Sequence, residues 1–346
     1  MNSKHNMIES RNYLIDVLKM VAAVFIVFLH YPFPEPMGQA VDCCARFAVP
    51  FFFAVSGYYA YGASSKRIIK RMWKIVVIML LASFLFFCWH CFKLLIMNGS
   101  VITYIKGLMS FKVVANLVFL GVSPFFEHLW YLSAMVVVYL IFYLYTLYWG
   151  KDTKYYGFYV FGLIMLQIHI VLSMNCTAAE IEIPTAMYRN ALLFGIPLFA
   201  MGIFLRENLD VIVQRYNVTK RKAYSAIVIG FILSLLQWFG FGKAEMPVGM
   251  LLVVTSIILI AAKTEASQCK AVNTAAYYLG KASLIVYIVH PLLYEIMITF
   301  EAECPALQVI HSHGYFFPIV LAAASMIIGI VFTIVANMIT MLHQRF

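Results

Sequence analysis

Asn12-YLIDVLKMVAAVFIVFLH-Tyr31 is an apolar run long enough to cross a bilayer, with Asp16 and Lys19 embedded in it and His30 at its end. Eleven residues separate Lys19 from His30, almost three whole helical turns, so both lie on one face at roughly 16 Å separation. Asp16, three residues before Lys19, falls close to the same stripe. Each ionisable group at mid-bilayer costs about 2.5–3.5 kcal/mol on the insertion scale, so such groups face a cavity or a partner and mark function. The stretch therefore reads as one wall of a polar path that ends in a titratable imidazole. The plainer reading is an ion pair at a helix interface and a histidine at headgroup level.

The rest of the chain agrees with a lipid solvent. Its 346 residues are 64% hydrophobic and only 12% charged, with mean hydropathy +0.88. A water-soluble fold of this length has no way to bury that much apolar surface. The reading is all-α and polytopic, a single transmembrane domain over 1–346 with no soluble domain. About ten spans are predicted near 13–30, 45–62, 75–97, 129–149, 156–173, 189–205, 223–241, 248–262, 283–300 and 316–340. With both termini in the cytoplasm, 18 of the 25 basic residues fall on the inner side, Lys4, Arg11, Lys151, Lys154 and Arg345 among them. The net charge of +10 is thereby topological, and a nucleic-acid partner is excluded. A cleaved signal peptide is also disfavoured, because Asp16 and Lys19 interrupt the apolar core and no small-x-small site follows His30.

The connections add little. The outer stretch Tyr104–Val122 reads as interfacial or re-entrant, and the basic loops at 206–222 and 263–281 as partly helical. No internal repeat is visible. Cys88 and Cys91 form a C-x-x-C inside a span, where packing is the ordinary role. Cys43, Cys44, Cys176 and Cys304 map outside, where disulfides are open but partners are not assignable.

Four further constellations carry potential chemistry. In Cys43-CARFAVPFFFAVSGYYAYG-Ala63, Arg46 needs an anion or carboxylate unless it is a headgroup anchor, and Ser56-Gly57 permits close helix approach. The basic run Lys66-RIIKRMWK, ending at Lys74, is either a positive-inside anchor or a clamp for an anionic cofactor through Arg67, Lys70 and Arg71. Glu127-HLWYLSA reads either as an aromatic belt of Trp130 and Tyr131 with Glu127 and His128 at headgroup level, or as an outward-facing pocket that Glu127 and His128 line together with His30. In Ser283-LIVYIVHP, His290 precedes Pro291, which frees backbone carbonyls beside a polar site.

Taken in order, IDVLKMVAAVFIVFLH, RFAVPFFFAVSGYYAYG, KRIIKRMWK, EHLWYLSAMVVVYLI and ASLIVYIVHP resemble the acyltransferase-3 family of bacterial membrane acyltransferases. The second motif is most similar to the branch with the enterobacterial-common-antigen O-acetyltransferase and the membrane half of the vancomycin-resistance serine racemases. The resemblance implies acyl transfer, usually acetyl, from cytoplasmic acyl-CoA to a hydroxyl of an extracytoplasmic glycan or lipid-linked saccharide. It also implies a multi-pass protein of the bacterial cytoplasmic membrane. The family hallmark is an arginine eleven residues before the catalytic histidine; here the histidine is His30 and the arginine position holds Lys19. The family R-x-x-R appears as Arg67 and Lys70.

The implied catalytic group is His30, with Lys19 and Asp16. Arg67, Lys70 and Arg71 would hold CoA. Arg46, Ser56, Glu127, His128, Trp130, Tyr131 and His290 would contact substrate. Acetyl-CoA enters as co-substrate; no tightly bound cofactor and no metal is implied, and the partners are membrane lipid and the glycan acceptor. Oligomeric state leaves no trace in the sequence. Two rival readings stand beside this one: a transporter or flippase of an anionic or lipid-linked solute, and a non-catalytic sensor or uptake module.

Overall fold

The computed structural model describes residues 12–116, 123–149, 155–178, 183–265 and 267–343. The predicted inner-side residues Lys4, Arg11, Lys151, Lys154 and Arg345 lie outside them, as do Val122 and the side chain of Cys176. The described chain is all-α. Among the described residues eight helices are long and apolar enough to cross a membrane, or nine if a bent pair is counted as one span.

In chain order the helices are α1 (Tyr13–His30), α2 (Met37–Ala45), α3 (Ala48–Ala60), α4 (Ser65–Ile96), α5 (Val101–Leu108) and α6 (Phe111–Ala115). Then come α7 (Trp130–Trp149), α8 (Tyr156–Ala178), α9 (Ile196–Glu207), α10 (Leu209–Arg215) and α11 (Lys220–Phe241). The last four are α12 (Val248–Ala262), α13 (Lys270–Thr299), α14 (Pro305–Ser312) and α15 (Phe317–His343). Each of the ten predicted spans thus holds a helix, although several bounds differ: the second apolar stretch starts at Met37 and the third at Ser65, ahead of the predicted 45 and 75. The predicted span 248–262 is α12, 15 residues long. It is shorter than the other apolar helices; it buries Val253, Val254 and Ile258 completely and ends beside the starts of α11 and α1, where Lys263 donates to the Val218 carbonyl and Asn12 to the Ala261 carbonyl. The sixth span begins with a π turn at Ala191–Gly195 and breaks at Asn208, where α10 turns away by 70°. The ninth begins at Lys270 rather than near 283, so most of the predicted basic loop 263–281 is helix.

Packing divides the chain into two compact units. The first comprises residues 1–52, 209–238 and 246–346; the second comprises 53–208 and 239–245. In the first unit α13 lies along both α1 and α15. A core of Met20, Ala23, Val27, Ala282, Val286 and Leu321 fills the space between them. In the second unit α4 pairs with α7, and α8 with α9. There α3 meets α9 backbone to backbone: a Cβ on Gly57 would strike the Phe199 carbonyl, and one on Gly202 the Ala54 carbonyl. Such small-residue contacts replace the hydrophobic drive that is missing between helices in lipid.

Outward faces are apolar. Leu80, Leu81 and Phe84 on α4 are each more than half exposed, a surface compatible with lipid and not with water. Hydroxyls inside the helices bond back to carbonyls four residues earlier, as Ser234 does to Gly230 and Ser325 to Leu321. Among the described residues Cys43, Cys44, Cys88, Cys91, Cys269 and Cys304 are free thiols.

Candidate functional site

The candidate residues divide between the units, and each group is built locally. In the first unit the Asn12 side chain caps α1 by accepting from the Ile15 amide at 3.0 Å. Its Nδ2 also donates to the Ala261 carbonyl at the end of α12, which pins the start of the charged stripe. One turn on, Lys19 Nζ donates to Asp16 Oδ1 at 3.3 Å. Asp16 is buried, whereas a quarter of the Lys19 side chain is exposed. Gly280 on α13 makes room for this carboxylate: a Cβ there would stand 2.5 Å from Asp16 Oδ1.

At the far end of α1, His30 is exposed and His290 on α13 is fully buried. Their ring centroids are 5.4 Å apart. His290 Nδ1 lies 3.0 Å from the Val286 carbonyl oxygen. Tyr31 lies 4.4 Å from Tyr294 with the rings tilted by 38° and meets His290 edge-on at 6.1 Å. Farther along, His311 Nδ1 sits 3.0 Å from both Glu301 carboxylate oxygens. Arg46, just past α2, is buried and its Nε donates to Asp42 Oδ1 at 2.9 Å. This is the carboxylate that a buried arginine requires.

In the second unit Ser64 caps α4, and Arg67 and Lys70 project from its first turns, exposed. Arg71 differs from them. Its Nη1 donates to the Tyr59 carbonyl at 2.6 Å and it also bonds Tyr139. Ser56 bonds both Tyr131 and Tyr139, so Arg71, Tyr139, Ser56 and Tyr131 form one polar string between α3, α4 and α7. Glu127 is exposed while its neighbour His128 is buried in an aromatic box with Phe86 and Phe126, each 5.3 Å away. Trp130 carries the Arg189 guanidinium 5.9 Å from its ring centroid. Arg189 in turn binds Glu245 at 2.7 Å, and buried His169 bonds the Tyr188 carbonyl.

The acyltransferase-domain family profile matches residues 12–341. The chain belongs to this acyltransferase family. The match begins at the cap of α1 and ends near the end of α15, so it takes in both groups of candidate residues in this acyltransferase-family protein. A protein of Enterococcus faecalis described as an amino-acid racemase is 32% identical over 136 residues. The aligned part is 36% of this chain and 18% of that protein, so the chain spans under a fifth of its length. This similarity is consistent with the racemase-associated branch that the motifs resemble. No solved structure matches the chain.

Sequence reasoning named His30, His290, Lys19 and Asp16 without seeing that the rings of His30 and His290 come within 5.4 Å. It missed Asp42, Arg189, Glu245 and His169. Asp42 had a usable signal, since it stands four residues before Arg46 and a helical turn brings the two together. The other three come from separate segments, one residue each, and only tertiary packing assembles them.

Proposed function

We propose that this protein transfers an acyl group, acetyl by default, from cytoplasmic acyl-CoA to a hydroxyl of an extracytoplasmic glycan or lipid-linked saccharide. Its setting would be the bacterial cytoplasmic membrane. The observation that carries the reading is His30: an exposed imidazole at the end of a membrane helix, backed by a buried second imidazole, eleven residues after a cation held by a carboxylate. Imidazole is suited to take a proton near neutral pH. His30 removes the proton of the acceptor hydroxyl as its oxygen attacks the thioester carbonyl. The C–S bond then breaks, and the CoA thiolate leaves with the proton that His30 returns. Arg67 and Lys70, exposed at the start of α4, supply the charge for the phosphates of CoA. Arg71, held inward, positions the polar string of Tyr139, Ser56 and Tyr131. Arg46, His128 and Trp130 are the acceptor-side candidates.

The test is transfer of label from radiolabelled acetyl-CoA to glycan and lipid fractions of membranes carrying wild type or His30→Ala. Label with wild type alone supports the reading. Equal label with both removes His30 from the chemistry. No label with either, across acyl donors, favours a transport role for the same intramembrane charges.

A further inference from the structure

The turn that launches the basic run of α4 is held from three sides. Helix α3 ends at Ala60 and α4 begins at Ser65, so residues 61–64 connect them. The last carbonyls of a helix find no amide partner within it. Arg71 meets one of them: its Nη1 donates to the Tyr59 oxygen at 2.6 Å, and its charge sits at the negative end of the α3 dipole. Arg206, in the last turn of α9, donates from Nη1 to the Tyr58 hydroxyl at 3.0 Å. Its neighbour Glu207 accepts from the Tyr159 hydroxyl of α8 at 2.6 Å. Tyr155, just before α8, bonds the backbone of Gly62, which takes the left-handed φ of +66° in the turn. Arg206 and Glu207 both act electrostatically on the Tyr61 hydroxyl as well. A membrane anchor needs none of these bonds. Basic residues that only mark the inner surface reach headgroups and solvent, and Arg67 and Lys70 are exposed in that way. Arg71 and Arg206 are instead bonded to a carbonyl and a hydroxyl at the end of α3.

We propose that Arg206, with Glu207 and their partners Tyr58 and Tyr159, is a positioning residue of the donor site. It acts through the α3–α4 turn rather than on the substrate. The turn ends at Ser64, whose side chain caps α4 by accepting from the Arg67 amide at 3.3 Å, so a held turn sets where Arg67 starts. Arg67 and Lys70 stand three residues apart on α4, with Cβ atoms about 5–6 Å apart, a spacing that matches neighbouring phosphates of the CoA diphosphate. Cations held in place before binding leave less ordering to be done when the ligand arrives, and bind it more tightly. The inference rests on the acyl-CoA reading of this site. An anionic lipid headgroup offers the same phosphate chemistry, and the test separates the two.

The experiment titrates CoA into the purified full-length protein by calorimetry, in detergent with and without phosphatidylglycerol, and follows label transfer in membranes against acetyl-CoA concentration. Tyr58→Phe keeps the ring and removes the hydroxyl that receives Arg206. Tyr159→Phe removes the hydroxyl that Glu207 accepts. Neither changes a charge, so weaker binding would not come from lost attraction. The expected result is a Kd for CoA raised about fivefold in each variant, the scale of one hydrogen bond. The KM for acetyl-CoA should rise by the same factor, with kcat within twofold of wild type. Unchanged Kd in both variants overturns the proposal. So does a fall in kcat at unchanged Kd, the mark of a general structural effect. Loss of CoA binding on adding phosphatidylglycerol assigns the cations to headgroups and overturns it too. Should either variant fail to fold, hydrogen exchange of the amides of residues 61–64 in wild type decides. Slow exchange that CoA leaves unchanged supports a turn held before binding, and fast exchange that CoA slows overturns it. Wild type that binds no CoA would sink the donor reading and this inference with it, whereas binding that both variants leave intact would sink this inference alone.

Discussion

Lys19 touches Asp16 at 3.3 Å inside a membrane helix, and Gly280 is small so that the carboxylate fits. Removing one member of a buried pair leaves the other uncompensated, whereas replacing both by apolar groups is often neutral. Asp16→Asn is therefore expected to lose about 1–3 kcal/mol of stability, the lower part of the range because Lys19 keeps some access to solvent. The double variant Asp16→Asn, Lys19→Met is expected to regain that stability while losing acyl transfer. Thermal denaturation in detergent and the radiolabel assay read the two effects separately. Recovery of transfer in the double variant would show the pair to be structural only. This stripe was legible in the sequence because it lies on one helix, where a spacing of eleven fixes a common face. The His30–His290 contact was not, since 260 positions separate the partners and only the packing of α13 on α1 joins them.

At the level of helices, hydropathy located the apolar segments of the described residues and misjudged where several of them begin, end or break. Hydropathy reports transfer to lipid and nothing about neighbours. It found α12 because the segment is apolar apart from Thr255 and Ser256, but could not show that protein surrounds much of it. It started α13 too late because residues 270–282 carry Lys270, Asn273 and Lys281. Those residues are helical nonetheless, and Gly280 within them meets Asp16. The α3–α9 crossing gives a direct test of small-residue packing. Gly202→Ala drives a methyl into the Ala54 carbonyl, whereas Gly107 on α5 has open space around an added Cβ. The melting temperature in detergent should fall for Gly202→Ala, by the equivalent of about 1–3 kcal/mol for overpacking. For Gly107→Ala it should hold or rise slightly, since alanine is the better helix former. Equal behaviour of the two would mean that α3 and α9 do not cross at their backbones.

For the whole molecule, two compact units carry different parts of the proposed chemistry. The first holds the imidazole pair and the Asp16–Lys19 stripe, and the second holds the exposed cations of α4 and the polar string behind them. A cytoplasmic CoA donor requires Arg67 and Lys70 to face the cytoplasm. The distribution of lysine and arginine along the chain demands the same orientation for an independent reason, the bias of basic residues toward the inner side. One labelling experiment tests both. In a background with the cysteines replaced by alanine, Lys66→Cys and Glu127→Cys introduce single thiols at exposed positions of the second unit. A membrane-impermeant maleimide should label Glu127→Cys in intact cells, and Lys66→Cys only after the membrane is permeabilised. The reverse pattern would put Arg67 and Lys70 on the side that lacks CoA. The basic run would then lose its assignment as the donor site, and the intramembrane charges would fit passage of a solute better than transfer of an acyl group.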